Sequence, residues 1–401
     1  MPENFRNFST DLRSAGSLTV DAVTGTTDIV EALHHAIISF SGIFGSSDQY
    51  RTKGITGMVY RNIRAVTELA GNGINILLDR LSSIIGEKDS SPGREAVISA
   101  LNGVIGDHLA AGQNPLAISM QFRCNGKPLN EQALSKIIQQ SNGRLVIMVH
   151  GSCMNDLQWN RQGHDYGAAL ARDLGFMPLY VHYNTGLHIS ENGKKLSRLI
   201  ETIIDQSSQP IKLFIIAHSM GGLVSRSACY YGKKSGDTWL NHLQKLVFLG
   251  TPHHGAPLAK ISSWIDNILE ICPYSAPFSR LGKIRSCGLT DLRYGNVVDE
   301  DWKNHNRFDF SGDIRIPVPL PEGVQCYTIA ASTGKKSSKL GDDFVGDSLV
   351  TLTSALGYHK NAALKLLFPE THQMIYRNMN HMDLLYHPEI YETIKMWLKP
   401  E

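Results

Sequence analysis

The chain has 401 residues, 42% of them hydrophobic and 19% charged, with a formal net charge of +2. That length allows one large core or a catalytic domain with a smaller companion, and the composition excludes a disordered or fibrous chain. The near-balanced charge, with no basic stripe alternating with aromatics, excludes nucleic acid as a partner. Met1 to Arg6 show no basic region followed by an apolar run, so no Sec-type signal peptide is visible, and no apolar stretch approaches a membrane span. The six cysteines (Cys124, Cys153, Cys229, Cys272, Cys287, Cys326) are scattered without a CxxC pair. Together these features predict a cytoplasmic protein with reduced, structural thiols. A Cys272–Cys287 disulfide is the minority alternative and would require export by another route.

Residues 1–116 read as a helical region. Ile29, Val30, Leu33, Ala36 and Ile37 recur at helical spacing after Thr26-Thr27, as do Ile55, Met58, Val59, Ile63, Val66 and Leu69, with the face continuing from Ile74 to Ile85. A third segment, Val97, Ile98, Leu101, Val104, Ile105 and Leu109, follows the breaker Ser91-Pro92-Gly93. Such helices leave transient contact with a membrane surface open. Packing on one another or on the catalytic domain is favoured, because their polar faces are not rich in Lys and Arg.

From residue 117 the pattern changes, and 117–401 reads as a catalytic domain. Ile118 to Phe122 and the Asn125-Gly126 pair predict a strand and a turn. Four solidly apolar runs follow, Leu145 to Val149, Leu179 to His182, Leu213 to Ala217 and Leu246 to Leu249, separated by helical stretches such as Leu196, Leu199, Ile200, Ile203 and Ile204. Continuous apolar runs mark strands buried on both faces, so the fold class is α/β, a mostly parallel central sheet flanked by helices. Such sheets hold their ligands at the carboxyl ends of the strands. Three of those ends carry reactive or glycine-rich chemistry: His150-Gly151-Ser152, His218-Ser219-Met220 and Gly250-Thr251-Pro252-His253.

Ser219 stands directly after a buried strand and before Gly221-Gly222-Leu223-Val224, which opens a helix. A serine on so tight a turn is pushed out over the sheet edge in a strained conformation, and the residues two before and two after must be small. Here they are Ala217 and Gly221. The competing reading, an ordinary serine at a helix N-cap, is the weaker one. A hydroxyl becomes a useful nucleophile when a histidine takes its proton and a carboxylate orients that histidine. After a serine of this kind the acid and then the histidine come downstream. Met374 to Arg377 predicts the last strand, and His381 follows it. The competitors are His359 and His372, which precede that strand, and His387, inside the closing helical segment that runs to Trp397 and Leu398. For the acid, the strand Cys326 to Ala330 leads into a loop with Asp342, Asp343 and Asp347. Asp347 is favoured because it directly precedes a short apolar anchor, Leu349-Val350. The developing oxyanion needs fixed N–H donors, expected from Met220 and from Ser152, with Cys153 as the alternative. His150 reads as a structural histidine.

On these pieces the sequence resembles the α/β-hydrolase lipases and esterases, in particular the branch with GPI inositol-deacylase-like and triacylglycerol-lipase-like members. The matching motifs are Val149-His150-Gly151, Ala217-His218-Ser219-Met220-Gly221-Gly222, Gly250-Thr251-Pro252-His253-His254-Gly255, the Gly346-Asp347 loop and the His381 loop. The resemblance implies a triad of Ser219, Asp347 and His381 with an oxyanion hole of Ser152 and Met220. It also implies a structural role for the Gly-Thr-Pro-His stretch, so His253 and His254 receive no catalytic one. No cofactor is expected, and no metal: scattered Asp and His residues lack ligand spacing. An insertion-like segment, 257–317, begins with Leu258, Ile261, Trp264, Ile265, Ile268 and Leu269. It stands where lipases carry a lid; simple burial against the core is the equal alternative. The expected function is cleavage of a small-molecule or lipid ester through an acyl-serine. The alternatives are acyl transfer or thioester or amide cleavage by the same triad, and a non-catalytic lipid-binding scaffold. The scaffold reading predicts a missing triad member, and none is missing. The oligomeric state is not written in the sequence.

Overall fold

The computed structural model of the protein describes residues 92–255, 286–303, 313–334 and 346–399. The helical segments expected before residue 92, the Leu258–Leu269 run, the Asp342-Asp343 pair and Cys272 lie outside the described residues. The described chain opens with α1 (Pro92–Ala111), the hairpin β1 (Gln121–Cys124) and β2 (Lys127–Pro128), and α2 (Glu131–Gln140). Strand and helix then alternate through β3 (Arg144–Val149), α3 (Tyr166–Leu174), β4 (Met177–His182), α4 (Ile189–Asp205), β5 (Lys212–His218), α5 (Met220–Ser235) and β6 (Leu243–Leu249). The last part carries α6 (Cys287–Tyr294), β7 (Gln325–Ser332), α7 (Leu352–Ala355), β8 (Gln373–Arg377) and α8 (Pro388–Leu398).

Eight strands form one sheet in the order β2-β1-β4-β3-β5-β6-β7-β8. Strands β3 to β8 run parallel to one another, and β1 is antiparallel both to β4 and to its hairpin partner β2. The apolar runs are explained by burial on both faces. Leu145, Ile147, Val149, Leu213, Ile215 and Ala217 join a core with Leu196 and Ile200 of α4, Leu223 and Val224 of α5, and α1. Their alternates Val146, Met148, Phe214 and Ile216 join a second core with Leu170 of α3 and Ile390, Ile394 and Trp397 of α8. Side chains of a strand alternate between faces, so a strand sandwiched between two helical layers has no polar position to spare.

The first strand differs from its expected place. Residues 118–120 precede it rather than open it, because the Ile118 N–H donates to Asn102 Oδ1 of α1 at 2.9 Å instead of joining the ladder. The turn residues Asn125 and Gly126 both have positive φ, 51° and 73°, as a two-residue hairpin of this twist requires. Helix α1 buries its apolar residues Val97, Leu101, Val104 and Leu109, but also Glu95, Ser99 and Asn102. Glu95 Oε2 accepts from Arg123 of β1 at 2.7 Å, and Asn102 Nδ2 donates to the carbonyls of Ile98 and Leu116. With Glu95 and Asn102 hydrogen-bonded inside, α1 lies in the same core as the sheet, and the 116/117 boundary falls in the segment joining it to β1. Among the described residues no helix is long and apolar enough to cross a membrane.

Candidate active site

After β3 the chain builds β4 on one side of it, then returns to place β5 on the other. The carboxyl ends of β3 and β5 therefore flank the point where strand order reverses, the place at which open α/β sheets leave a crevice. Val149 pairs with Ala217, and His218 with Leu249, so His150, Ser219 and Gly250 reach the same sheet edge.

Ser219 is the residue between β5 and α5, with φ 53° and ψ −122°. A non-glycine residue held there stores on the order of 1–3 kcal/mol of backbone strain. The turn is fixed by the Ser219 N–H, which donates to Leu249 O at 2.8 Å. Its side chain makes no capping hydrogen bond to the helix that follows, contrary to what an N-cap serine would do. The requirement for small neighbours has a steric cause: a Cβ on Gly221 would overlap Val149 O and lie 2.6 Å from His150 O. The sheet-edge loops converge here, since a Cβ on Gly151 would lie 3.1 Å from Ser219 Cβ.

His381, on the loop after β8, and Asp347, on the loop after β7, are both buried. His381 Nδ1 lies 2.6 Å from Asp347 Oδ2, and the His381 N–H donates to the Asp347 carbonyl at 3.1 Å. The other carboxylate oxygen accepts the N–H groups of Leu349 and Val350, at 3.0 and 2.8 Å. The apolar anchor after Asp347 thus supplies the donors that fix its carboxylate, leaving Oδ2 for the imidazole. The ring of His381 packs beside Gly250, where a Cβ would lie 3.0 Å from its Cε1. Its Nε2 is buried and has no hydrogen-bond partner, Ser219 included. Such a contact is often open in an unliganded site and closes on the substrate complex.

His218, which precedes the serine, makes a connection that local spacing did not predict. Its Nε2 lies 3.3 Å from the His381 carbonyl, and the two rings are 4.7 Å apart. Burial, reinforced by the neighbouring His381, holds His218 well below the ordinary imidazole range, so it stays neutral. His150 is also buried; its ring stacks on Tyr183 at 4.4 Å and its carbonyl accepts the Tyr183 hydroxyl at 2.7 Å. Burial pushes its pKa down to about 3. Met220 opens α5, and the first N–H groups of a helix have no acceptor within it. Of the two other candidate donors, the Cys153 N–H is engaged by Thr185 Oγ1 at 3.1 Å.

Two of the competing histidines, His372 and His359, are engaged elsewhere. His372 stacks on Tyr327, with Nδ1 3.1 Å from the Cys326 carbonyl; His359 Nε2 lies 3.2 Å from Asp313; His387 is the residue before α8. His253 and His254 line a separate polar cavity with Arg226, Asp301, Arg315 and Val318, which none of Ser152, Ser219, Met220, Asp347 and His381 lines. There Arg226 donates to the Val318 carbonyl at 2.6 Å, and burial lowers its pKa to about 10. Among the described residues no group of three or more His, Cys, Asp or Glu side chains could hold a metal ion.

Residues 140–313 match the family model of the PGAP1-like alpha/beta domain. No curated protein matches the chain. Among solved structures, the chain is similar to the lipase BlEst2 of Bacillus licheniformis in its mature form, at 17% identity and a TM-score of 0.41, covering 65% of this chain and 93% of that one. It is also similar to lipase B of Aspergillus fumigatus, at 12% identity and a TM-score of 0.43, covering 93% of this chain and 83% of that one. A lipase-esterase related protein from Clostridium acetobutylicum is similar at 14% identity and a TM-score of 0.34, covering 64% of this chain and 95% of that one. The sheet, its elbow and the matched domain are those of the α/β-hydrolase fold, the fold of lipases and esterases.

Proposed function

We propose that the protein is a serine hydrolase of carboxylic esters, with Ser219 as nucleophile, His381 as base and Asp347 as the acid that orients it. The observation that carries this reading is the 2.6 Å contact between buried His381 Nδ1 and Asp347 Oδ2, beside a serine in a strained turn at the sheet's switch point. In this mechanism Ser219 Oγ attacks the ester carbonyl and passes its proton to His381 Nε2. Asp347 stays ionised and stabilises the imidazolium without taking the proton. The carbonyl oxygen becomes an oxyanion held by the N–H groups of Met220 and Ser152. As the tetrahedral intermediate collapses, the alkoxide leaves and takes the proton from His381, which gives acyl-serine. Water then loses a proton to His381, adds its hydroxyl to the acyl carbon, and frees the acid while Ser219 recovers its proton.

The substrate in this reading is lipid-like. Its supports are the apolar run Leu258–Leu269, which in chain order falls between β6 and β7, where lipases carry a lid, and the match to the PGAP1-like domain. The catalytic unit we propose comprises 117–401 together with α1, which shares its core. The test is labelling of the intact protein with a fluorophosphonate, beside Ser219→Ala, followed by p-nitrophenyl esters of graded chain length. Labelling of the wild type alone, with turnover that rises with chain length, is the expected result. An unlabelled wild type ends the hydrolase reading, and labelling that survives S219A ends the site assignment. A labelled enzyme that turns over thioesters or alcohol acceptors faster than it hydrolyses esters would move the acceptor or bond, not the triad.

A further inference from the structure

Helix α1 lies outside the family match, yet it packs directly beneath the turn that follows β3. A Cβ on Gly103 would overlap Cys153 Sγ and lie 3.0 Å from Cys153 Cα. Cys153 is almost fully buried and has φ 59°, a conformation that a non-glycine residue keeps only when its surroundings impose it. Two contacts impose it here. The glycine of α1 lets the Cys153 side chain and backbone seat against the helix, and the Cys153 N–H donates to the buried Thr185 Oγ1 at 3.1 Å. The loop that carries Thr185 is itself pinned to the same helix. Asn184 Nδ2 donates to Gly106 O at 2.8 Å, and a Cβ on Gly186 would overlap Asn102 O. One face of α1, Asn102-Gly103 and Gly106, therefore sets both the turn after β3 and the loop after β4.

We propose that Gly103 of α1 and Thr185 are positioning residues for the oxyanion hole: by locking Cys153 they aim the N–H of the preceding residue, Ser152, at the substrate oxygen. This rests on the hydrolase reading above. The peptide joining Ser152 to Cys153 is rigid, so a shift of Cys153 Cα displaces Ser152 Cα and, through it, the Gly151–Ser152 peptide that carries the Ser152 N–H. A donor displaced from the oxyanion's position loses transition-state stabilisation while ground-state binding of the ester hardly changes. The effect should therefore fall on kcat and leave KM alone. Sequence reading missed both residues because neither carries reactive chemistry and the helix is distant in the chain.

The test uses the full chain, kcat and KM for p-nitrophenyl butyrate, and thermal unfolding of each variant. Gly103→Ala should lower kcat about tenfold or more with KM within about twofold. In the double variant G103A/C153A the overlap with the sulfur is gone while the tighter-than-usual contact with the Cα remains, so kcat should rise severalfold above that of G103A. Thr185→Val, which keeps the shape and removes the acceptor, should also lower kcat severalfold at unchanged KM, and it decides the matter if G103A does not fold. Full kcat in both G103A and T185V, or losses that fall on KM, would overturn the inference, as would a double variant no better than G103A. Failure of wild-type labelling by the fluorophosphonate strikes the hydrolase reading; a labelled wild type with unaffected variants strikes only the buttress.

Discussion

Two histidine clusters are buried near the carboxyl edge of this sheet, and they differ in what faces the imidazole. At the Ser219 edge, His381 has a carboxylate on Nδ1 and a bare Nε2. At the Arg226 cavity, His253 has neither ring nitrogen hydrogen-bonded, and burial together with the nearby Arg226 charge holds it well below the ordinary range. Its neighbour His254 is held down to about 3, with Nε2 3.1 Å from the Gly357 carbonyl. Burial alone makes a histidine a neutral packing residue, whereas in the proposed mechanism a fixed carboxylate orients the buried ring of His381 to act as the base. A carboxylate is not sufficient either. His188 lies 2.8 Å from Asp291 and His359 lies 3.2 Å from Asp313, but His188 stacks on Trp302 instead of standing at the elbow.

The sharpest way to break this contrast is to remove the serine. Ser219→Ala should lower kcat by about 10⁴-fold or more in a p-nitrophenyl ester assay. Comparable turnover in S219A would dissolve any distinction between the clusters. Next in size, Asp347→Asn should cost about 10³- to 10⁴-fold in kcat, since the imidazole loses the partner that fixes its tautomer and stabilises its charge. Circular dichroism would establish that the variant is folded, so that a loss of rate reports chemistry.

The cavity cluster answers to pH instead of substrate. His254 is ordinary when unfolded, near 6.5, and depressed to about 3 when folded. Between those values the unfolded chain binds a proton that the native state refuses, so its contribution is complete above 6.5 and is lost as pH falls toward 3. His254→Asn should flatten the fall in unfolding free energy between pH 6.5 and 4 by up to about 1.4 kcal/mol per pH unit. Urea titrations at several pH values measure that slope, and an unchanged slope would show that His254 titrates normally. The smallest effect belongs to His359→Gln, which keeps kcat within about twofold. A large loss there would mean that a His–Asp pair away from the elbow takes part in the chemistry.

The sheet was legible because its strands are sandwiched: the four apolar runs from Leu145 to Leu249 are almost unbroken, with His182 at the end of one of them, and each is a strand. The placing of Ser219, Asp347 and His381 after successive strands could be read from the apolar runs that precede them. What escaped depends on partners remote in the chain. Residues 97–109 read as one face of an amphipathic helix, yet α1 is buried around most of its surface, because Glu95 and Asn102 find Arg123, Leu116 and Ile118 inside. Likewise, nothing near His218 announces that its ring reaches the carbonyl of His381. The Thr185 hydroxyl under Cys153 is the same kind of omission.

The chain order of the parallel strands has a consequence for how the protein is made. Ser219 and its strained turn come from the middle of the chain, whereas Asp347 and His381 arrive only after β7 and β8 have been added at the far side of the sheet. A nascent chain therefore carries β3 to β6 and Ser219 before the residues of the other two loops have been made. In the proposed mechanism, reactivity switches on late in synthesis, when the loop after β8 brings His381 against Gly250 and the carboxylate of Asp347.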